Sequence, residues 1–210
     1  MSTFVAKMSE KKIEIALKAG EMFMKYGIKS VSMDDLAREL SVSKKTIYAH
    51  FSDKNVLVEL ILTAHLTEIQ MKCESIFGKR DNAIQELFEV INIAAQQMNS
   101  IHPSVIFDLQ KYHPGAWKLI DLHETEFVLP FILLNIKRGR KENLYRNDFD
   151  AGVVAQIYVT VNDSIFKRTI KGSDETPLVQ IFHESLMFIL FGMATPEGKQ
   201  YIRKHIKDEK

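Results

Sequence analysis

Ser43-Lys44-Lys45-Thr46 places two cations and two hydroxyls in consecutive positions. Their shared chemistry is anion binding. Ammonium groups bring whole charges, hydroxyls donate directional hydrogen bonds, and both are common partners of phosphate oxygens. The same residues open a short segment in which Ile47 and Phe51, four apart, share one face of a helix. Ser43 is of the type that caps a helix start. On a helix that binds nothing, Lys44 and Lys45 would oppose the helix dipole, at about 0.3–1 kcal/mol per exposed charge. A phosphate ligand would offset that cost, and the free N–H groups of the first turn would add to the attraction. The bland alternative is a solvated lysine face, with Ser32, Ser43 and Ser52 capping helices whether or not anything is bound.

Three further elements must position these groups. From Ser9, the residues Ile13, Ala16, Leu17, Gly20, Phe23 and Met24 recur at spacings of three and four, which predicts a helix that Gly27 closes. Ser32, with Asp35 three residues on, predicts a capped start to a second, short helix whose inner face is Met33, Leu36, Ala37 and Leu40. Ser41-Val42-Ser43 breaks it, and the third helix runs from Ser43 through Phe51. Ser52-Asp53 then caps a long apolar fourth helix from Lys54 to Phe77. Two short helices joined by a three-residue turn and buttressed by a longer one form a helix-turn-helix. In that arrangement the second short helix lies in the DNA major groove.

The charge distribution agrees. Residues 1–55 hold ten Lys and Arg against seven Asp and Glu, while the rest of the chain holds eighteen against twenty. A mildly basic head on a mildly acidic body fits a surface that meets phosphate. Cys73 is the only cysteine, so no intramolecular disulfide and no cysteine-held zinc is expected, and a reducing cytosol suits the chain. The first residues lack a signal-peptide pattern. The most apolar stretch, Phe127 to Ile136, falls short of the roughly 20 residues that span a bilayer. A soluble, cytoplasmic protein without a membrane partner is expected.

Helical periodicity continues to the end, at about 82–99, 104–112, 115–141, 149–171 and 176–192, with a tail helix near 197–207. The first nine residues are expected to fray. Breakers stand between most segments: Pro103, His113-Pro114, Asn143, Gly172-Ser173 and Pro196-Glu197-Gly198. Pro130 lies inside one segment, which should kink or split there. The fold class is therefore all-α, an N-terminal three-helix head followed by a larger helical bundle, about nine to ten helices in total. The expected domains are 1–55, which binds DNA, and 56–210, the larger helical body.

The run from Ser30 to Lys54, SVSMDDLARELSVSKKTIYAHFSDK, together with Ala16, Phe23 and Gly27 upstream, resembles the TetR family of transcriptional regulators. The stretch Ile136 to Asp150 resembles the end of that family's long central helix. The resemblance implies that Ser32 caps the second helix and touches phosphate, and that Ser43, Thr46 and Tyr48 grip phosphates around the recognition helix. It implies that Lys44, Lys45, Ala49 and His50 approach base edges or adjacent phosphates, and that Lys54 clamps a phosphate from the other side. Ile47 and Phe51 become core. Two residues depart from the family pattern. Ser41 and Lys45 both stand where glycine is frequent, the first in a turn that tends to need positive φ.

The resemblance also implies a C-terminal body that binds a small effector and dimerises through its last two long helices. The segment Leu178–Gly192 is apolar nearly all round and needs cover on more than one side. Tyr158, Val161, Ile165, Phe182, Leu186 and Ile189 are the candidate dimer contacts. A buried central helix of a monomer would look the same. Candidate effector contacts are Phe107, Gln110, Tyr112, His113, Trp117, His123, Glu124, Phe127, Phe131, Asn162 and Phe166, where aromatics mix with polar groups, as in small-molecule pockets.

No enzyme motif is present. His123-Glu124 and His183-Glu184 lack the second histidine of a helical zinc site, and no nucleophile elbow, phosphate loop or dinucleotide fingerprint occurs. No cofactor, metal or catalytic residue is expected. The sequence reads as a homodimeric, ligand-responsive repressor of a palindromic operator in double-stranded DNA. Its rivals are a constitutive DNA-binding regulator without an effector, and an all-α carrier or enzyme with an incidental head.

Overall fold

The computed structural model describes residues 8–168 and 178–206. Among them are eleven α-helices: α1 (Glu10–Tyr26), α2 (Met33–Glu39), α3 (Lys44–His50), α4 (Lys54–Ile76), α5 (Ala83–Ser100), α6 (Pro103–Tyr112), α7 (Pro114–His123), α8 (Leu129–Lys141), α9 (Ala151–Arg168), α10 (Leu178–Met193) and α11 (Pro196–His205). The one extended pairing recorded is an isolated bridge between Tyr145 and Ala194. The all-α expectation holds. The expected fraying falls largely on residues 1–7, which lie outside the described residues, as does the Gly172-Ser173 breaker.

The disturbance expected at Pro130 takes the form of a π-helical turn, Glu124–Val128, that joins α7 to α8. Proline lacks an N–H and its ring collides with the carbonyl four residues back. The chain widens just before it, so that the Leu129 N–H bonds the Glu124 carbonyl, five residues back. Pro130 then occupies the first turn of α8, where a missing N–H costs little.

The chain packs into two compact units. The first runs to Glu68 and takes in Ile101–Asp121. Its core joins Ile15, Ala19, Met22 and Phe23 of α1, Met33, Leu36 and Ala37 of α2, Ile47 of α3, Phe51, Leu57 and Val58 of α4, Val105 and Leu109 of α6, and Ala116 of α7. The packed unit is thus larger than residues 1–55, because α6 and α7 contribute to the same core. The buried stripe of α1 also differs from the expected one. Leu17 is 67% exposed and Met24 is exposed, while Ile15, Ala19 and Met22 face inward. Apolar residues occupy so much of this helix's circumference that two overlapping stripes satisfy the helical period, and only packing chooses between them.

The second unit comprises Ile69–Ser100 and the chain from Leu122 onward. A buried polar network pins the start of α5 to the end of α8. The fully buried Glu86 carboxylate accepts from the Gly78 N–H at 2.6 Å, Asn135 Nδ2 at 2.9 Å and Arg138 Nη1 at 2.6 Å. Arg138 also donates to Glu142 Oε1 at 2.7 Å and the Arg80 carbonyl at 2.6 Å. A buried charge pair holds only when its remaining donors and acceptors are met, and here they are.

Candidate nucleic-acid interface

The interface is built from α2, the following turn and α3. Ser32 and Asp35 form a reciprocal capping box. The Ser32 Oγ accepts from the Asp35 N–H at 3.1 Å, and the Ser32 N–H donates to Asp35 Oδ2 at 2.8 Å. The Ser32 hydroxyl also donates to that carboxylate. These bonds, with help from Arg38, pull the Asp35 carboxyl down to about 2. The turn depends on Ser41, whose φ is +53°. That left-handed conformation costs a non-glycine residue about 1–2 kcal/mol. It lets the Val42 N–H reach back to the Ala37 carbonyl at 3.0 Å and close α2.

Ser43 then caps α3, its Oγ accepting from the Thr46 N–H at 3.1 Å and lying 2.8 Å from the Thr46 hydroxyl. Ile47 and Phe51 are fully buried and lock one face of α3. Lys44, Lys45, Tyr48 and Ala49 are exposed on the rest of it, and His50 is partly buried. The Lys44 ammonium sits 2.8 Å from Asp34 Oδ1 and 5.9 Å from the centre of the Tyr48 ring. A rigid inner edge with cations, hydroxyls and one phenol on its outer edge can hold phosphate oxygens and present side chains to bases.

Lys54 sits differently from a free phosphate clamp. It is partly buried, its ammonium donates to the Ile28 carbonyl at 2.5 Å, and it lies 5.6 Å over the Phe23 ring. Burial lowers its pKa, and Asp108 and Asp35 oppose that. Asp53, rather than Ser52, caps α4, accepting from the Asn55 and Val56 N–H groups at 2.7 and 3.1 Å.

The model of bacterial regulatory proteins of the tetR family matches residues 15–61, which span α1, α2, α3 and the start of α4. Residues 15–61 are the part of the chain that matches the TetR family. It is 30% identical over 114 residues to the uncharacterized HTH-type transcriptional regulator YvaF of Bacillus subtilis, a match covering 53% of this chain and 60% of YvaF. It is 21% identical over 197 residues to the HTH-type transcriptional repressor KstR2 of Mycolicibacterium smegmatis, covering 90% of this chain and 93% of that one. In fold it is similar to a transcriptional regulator of Saccharomonospora viridis solved in complex with choline. There the TM-score is 0.74 and the identity 18%, over 90% of this chain and all of the other.

The head is held by α6 and α7 through groups that sequence reasoning did not single out for the purpose. The buried Asp108 carboxylate accepts from the Lys29 N–H at 2.7 Å, and His113 Nδ1 lies 2.6 Å from Asn55 Oδ1. The available signal was a carboxylate amid the apolar stripe Val105, Ile106 and Leu109. Asp34, which pairs with Lys44, was also missed. The two are ten residues apart, and only the turn geometry brings them together.

Burial lowers the His113 pKa from its ordinary 6.5, the Lys54 ammonium lowers it further, and Asp108 opposes both. A histidine with a depressed folded pKa contributes stability that is fully present above its unfolded pKa and is lost as pH falls through the folded one. Thermal melts between about pH 7.5 and 5 should therefore show the wild type losing more stability than His113→Gln, which does not titrate. Parallel curves would contradict this.

The candidate effector residues divide between the two units. Phe107, Gln110 and Tyr112 of α6, His113 at its end and Trp117 of α7 lie in the first; His123, Glu124, Phe127, Phe131, Asn162 and Phe166 lie in the second. The Tyr112 hydroxyl accepts from the Lys29 ammonium at 3.0 Å. His123 stacks on Phe127 at 5.1 Å, and Phe127 and Phe131 stand 6.0 Å apart. Of the candidate dimer contacts, Tyr158, Ile165, Phe182 and Leu186 are buried in the core of their own unit, so they are not available as surface contacts. Val161 and Ile189 are partly buried against that core. Among the described residues, the exposed large apolar side chains of α9 and α10 are instead Val153, Ile157 and Phe188. Periodicity marks a helix as apolar without telling which of its faces its own neighbours take.

Among the described residues no helix is long and apolar enough to cross a membrane, and no group of three or more His, Cys, Asp or Glu could hold a metal ion.

Proposed function

We propose that this chain is a homodimeric, ligand-responsive repressor of the TetR family that reads a palindromic operator with α3. The observation that carries the reading is the two-sided character of α3, with Ile47 and Phe51 fixed in the core and Lys44, Lys45, Tyr48 and Ala49 turned outward beside the Ser43 and Thr46 hydroxyls. Under it, Ser32, His50 and Lys54 flank the phosphate contacts. Lys54 acts from its seat on the Ile28 carbonyl, since an ammonium has three protons to donate and this bond uses one. The division of labour is DNA binding by residues 1–55 and effector binding with dimerisation by 56–210. No catalytic step is assigned, and the protein works in the cytoplasm.

Two heads read two half-sites separated by whole helical turns, so the chain must dimerise. The outward stripes of α9 and α10 supply the surface, with Val153, Ile157 and the 84%-exposed Phe188 as its apolar members. Phe188→Glu is expected to shift the protein to monomer in sedimentation and to weaken operator binding at least tenfold, the loss that follows when a second head no longer binds intramolecularly. An unchanged dimer would move the interface elsewhere.

Repression is the sign named for KstR2, and a small ligand is present in the S. viridis structure. The first candidates for effector contact here are the second-unit residues, Phe127 and Phe131 with His123, Glu124, Asn162 and Phe166. A ligand relieves repression only through different affinities for the DNA-competent and incompetent states. Selection of bound sequences from random DNA tests the central claim. A palindrome is the expected product, and recovery of no enriched sequence would overturn it. A thermal-shift screen then separates a ligand-responsive repressor from a constitutive one.

A further inference from the structure

We infer that Asp34 is a specificity-determining residue of the DNA-reading surface, which it exerts by holding the Lys44 ammonium and so suppressing sequence-independent binding. This rests on the reading of α3 as the DNA-contacting helix. Asp34 lies in the first turn of α2 and Lys44 opens α3; the turn through Ser41 sets them side by side, with Nζ–O distances of 2.8 and 3.0 Å. Both side chains are more than half exposed, so the pair contributes little to folding. Asp34 is not the residue that caps α2; Asp35 is. The Tyr48 ring beneath the Lys44 ammonium completes a seat in which the cation is neutralised before any DNA arrives.

The consequence follows from how proteins hold DNA. Sequence-independent binding comes almost wholly from cations that displace condensed counterions, and its salt dependence counts them. A lysine already paired with a carboxylate contributes little to that count, and the carboxylate itself repels phosphate. Base contacts in the correct register are indifferent to this charge. Asp34 therefore penalises binding to arbitrary DNA more than binding to the operator, and raises the ratio between them.

The test compares full-length wild type, Asp34→Asn, Asp34→Glu, Lys44→Ala and the Asp34→Asn/Lys44→Ala double variant. Each is titrated over a range of salt against the selected operator and a random-sequence duplex of equal length. Asp34→Asn should bind the random duplex about tenfold tighter, gain less on the operator, and steepen the salt slope by about 1 per head. Asp34→Glu should restore the wild-type slope. Lys44→Ala should weaken random-duplex binding more in the Asp34→Asn background than in the wild type, the coupling that a double-mutant cycle reads. An unchanged slope in Asp34→Asn, or an equal gain on both duplexes, would overturn the assignment. A wild type that binds neither duplex would instead remove the reading of α3 itself.

Discussion

The variant Lys45→Glu/Tyr48→Ala should lose affinity for the operator by about 10³–10⁴-fold while melting close to the wild-type temperature. Both side chains are exposed, and neither belongs to the core beneath α3. At exposed positions a hydrogen bond contributes about 1–1.5 kcal/mol net, and a dimer makes both contacts twice, four in all. A loss on the order of 4–6 kcal/mol is therefore reasonable, before counting the repulsion a new carboxylate exerts on phosphate. Fluorescence anisotropy with the selected operator reads the affinity, and a thermal melt reads the fold. Binding that survives the double change within tenfold would show that α3 does not present this face to DNA.

Gly139→Ala should unfold or severely weaken the second unit. A Cβ at this position would stand 2.1 to 2.7 Å from three atoms of the Tyr145 ring. Tyr145 cannot step aside. It is fully buried, and its hydroxyl donates to Asn135 Oδ1 at 3.1 Å with the Ala83 carbonyl at 3.3 Å. Asn135 in turn donates to the Glu86 carboxylate that pairs with Arg138, so displacing the ring also disturbs a buried charge pair, the costlier kind of interaction to break. Overpacking costs about 1–3 kcal/mol, and a lost buried hydrogen bond adds about 1–3. A fall in Tm of roughly 4–24 °C follows for a chain of this size. Gly20→Ala is the control. Its added Cβ meets only Ile61 Cγ2 at 3.7 Å, and alanine is the better helix former, so it should hold or raise the Tm. A Gly139→Ala protein as stable as the wild type would mean that the Tyr145 ring has room the structure does not give it.

Much of the head was legible in the sequence because its determinants are local. Caps act over three residues, so Ser32 with Asp35 and Ser43 with Thr46 could be read from spacing alone. The positive φ at Ser41 was implied by the family resemblance, in which glycine is frequent at that position of the turn, and Ser41 does adopt it. The helical class of the remaining segments, and the disturbance before Pro130, follow from periodicity and from proline's missing donor in the same way.

The opening cluster, Ser43 to Thr46, was thus determined by the sequence itself as a capped helix start bearing two lysines. What those lysines meet was decided by tertiary structure. Lys44 lies against Asp34, and Lys54 against the Ile28 carbonyl, 26 residues before it. Packing also decided that Leu17 faces outward, that Tyr158 and Phe182 are core rather than surface, and that α6 and α7 complete the unit that holds the head. The reason is common to all of these. A helical period states that a face is apolar, but several faces of α1, α9 and α10 qualify, and the choice among them is made by which neighbours exclude the most water. Side-chain charges pair according to distances through space, which sequence separation does not encode once a turn has folded the chain back on itself.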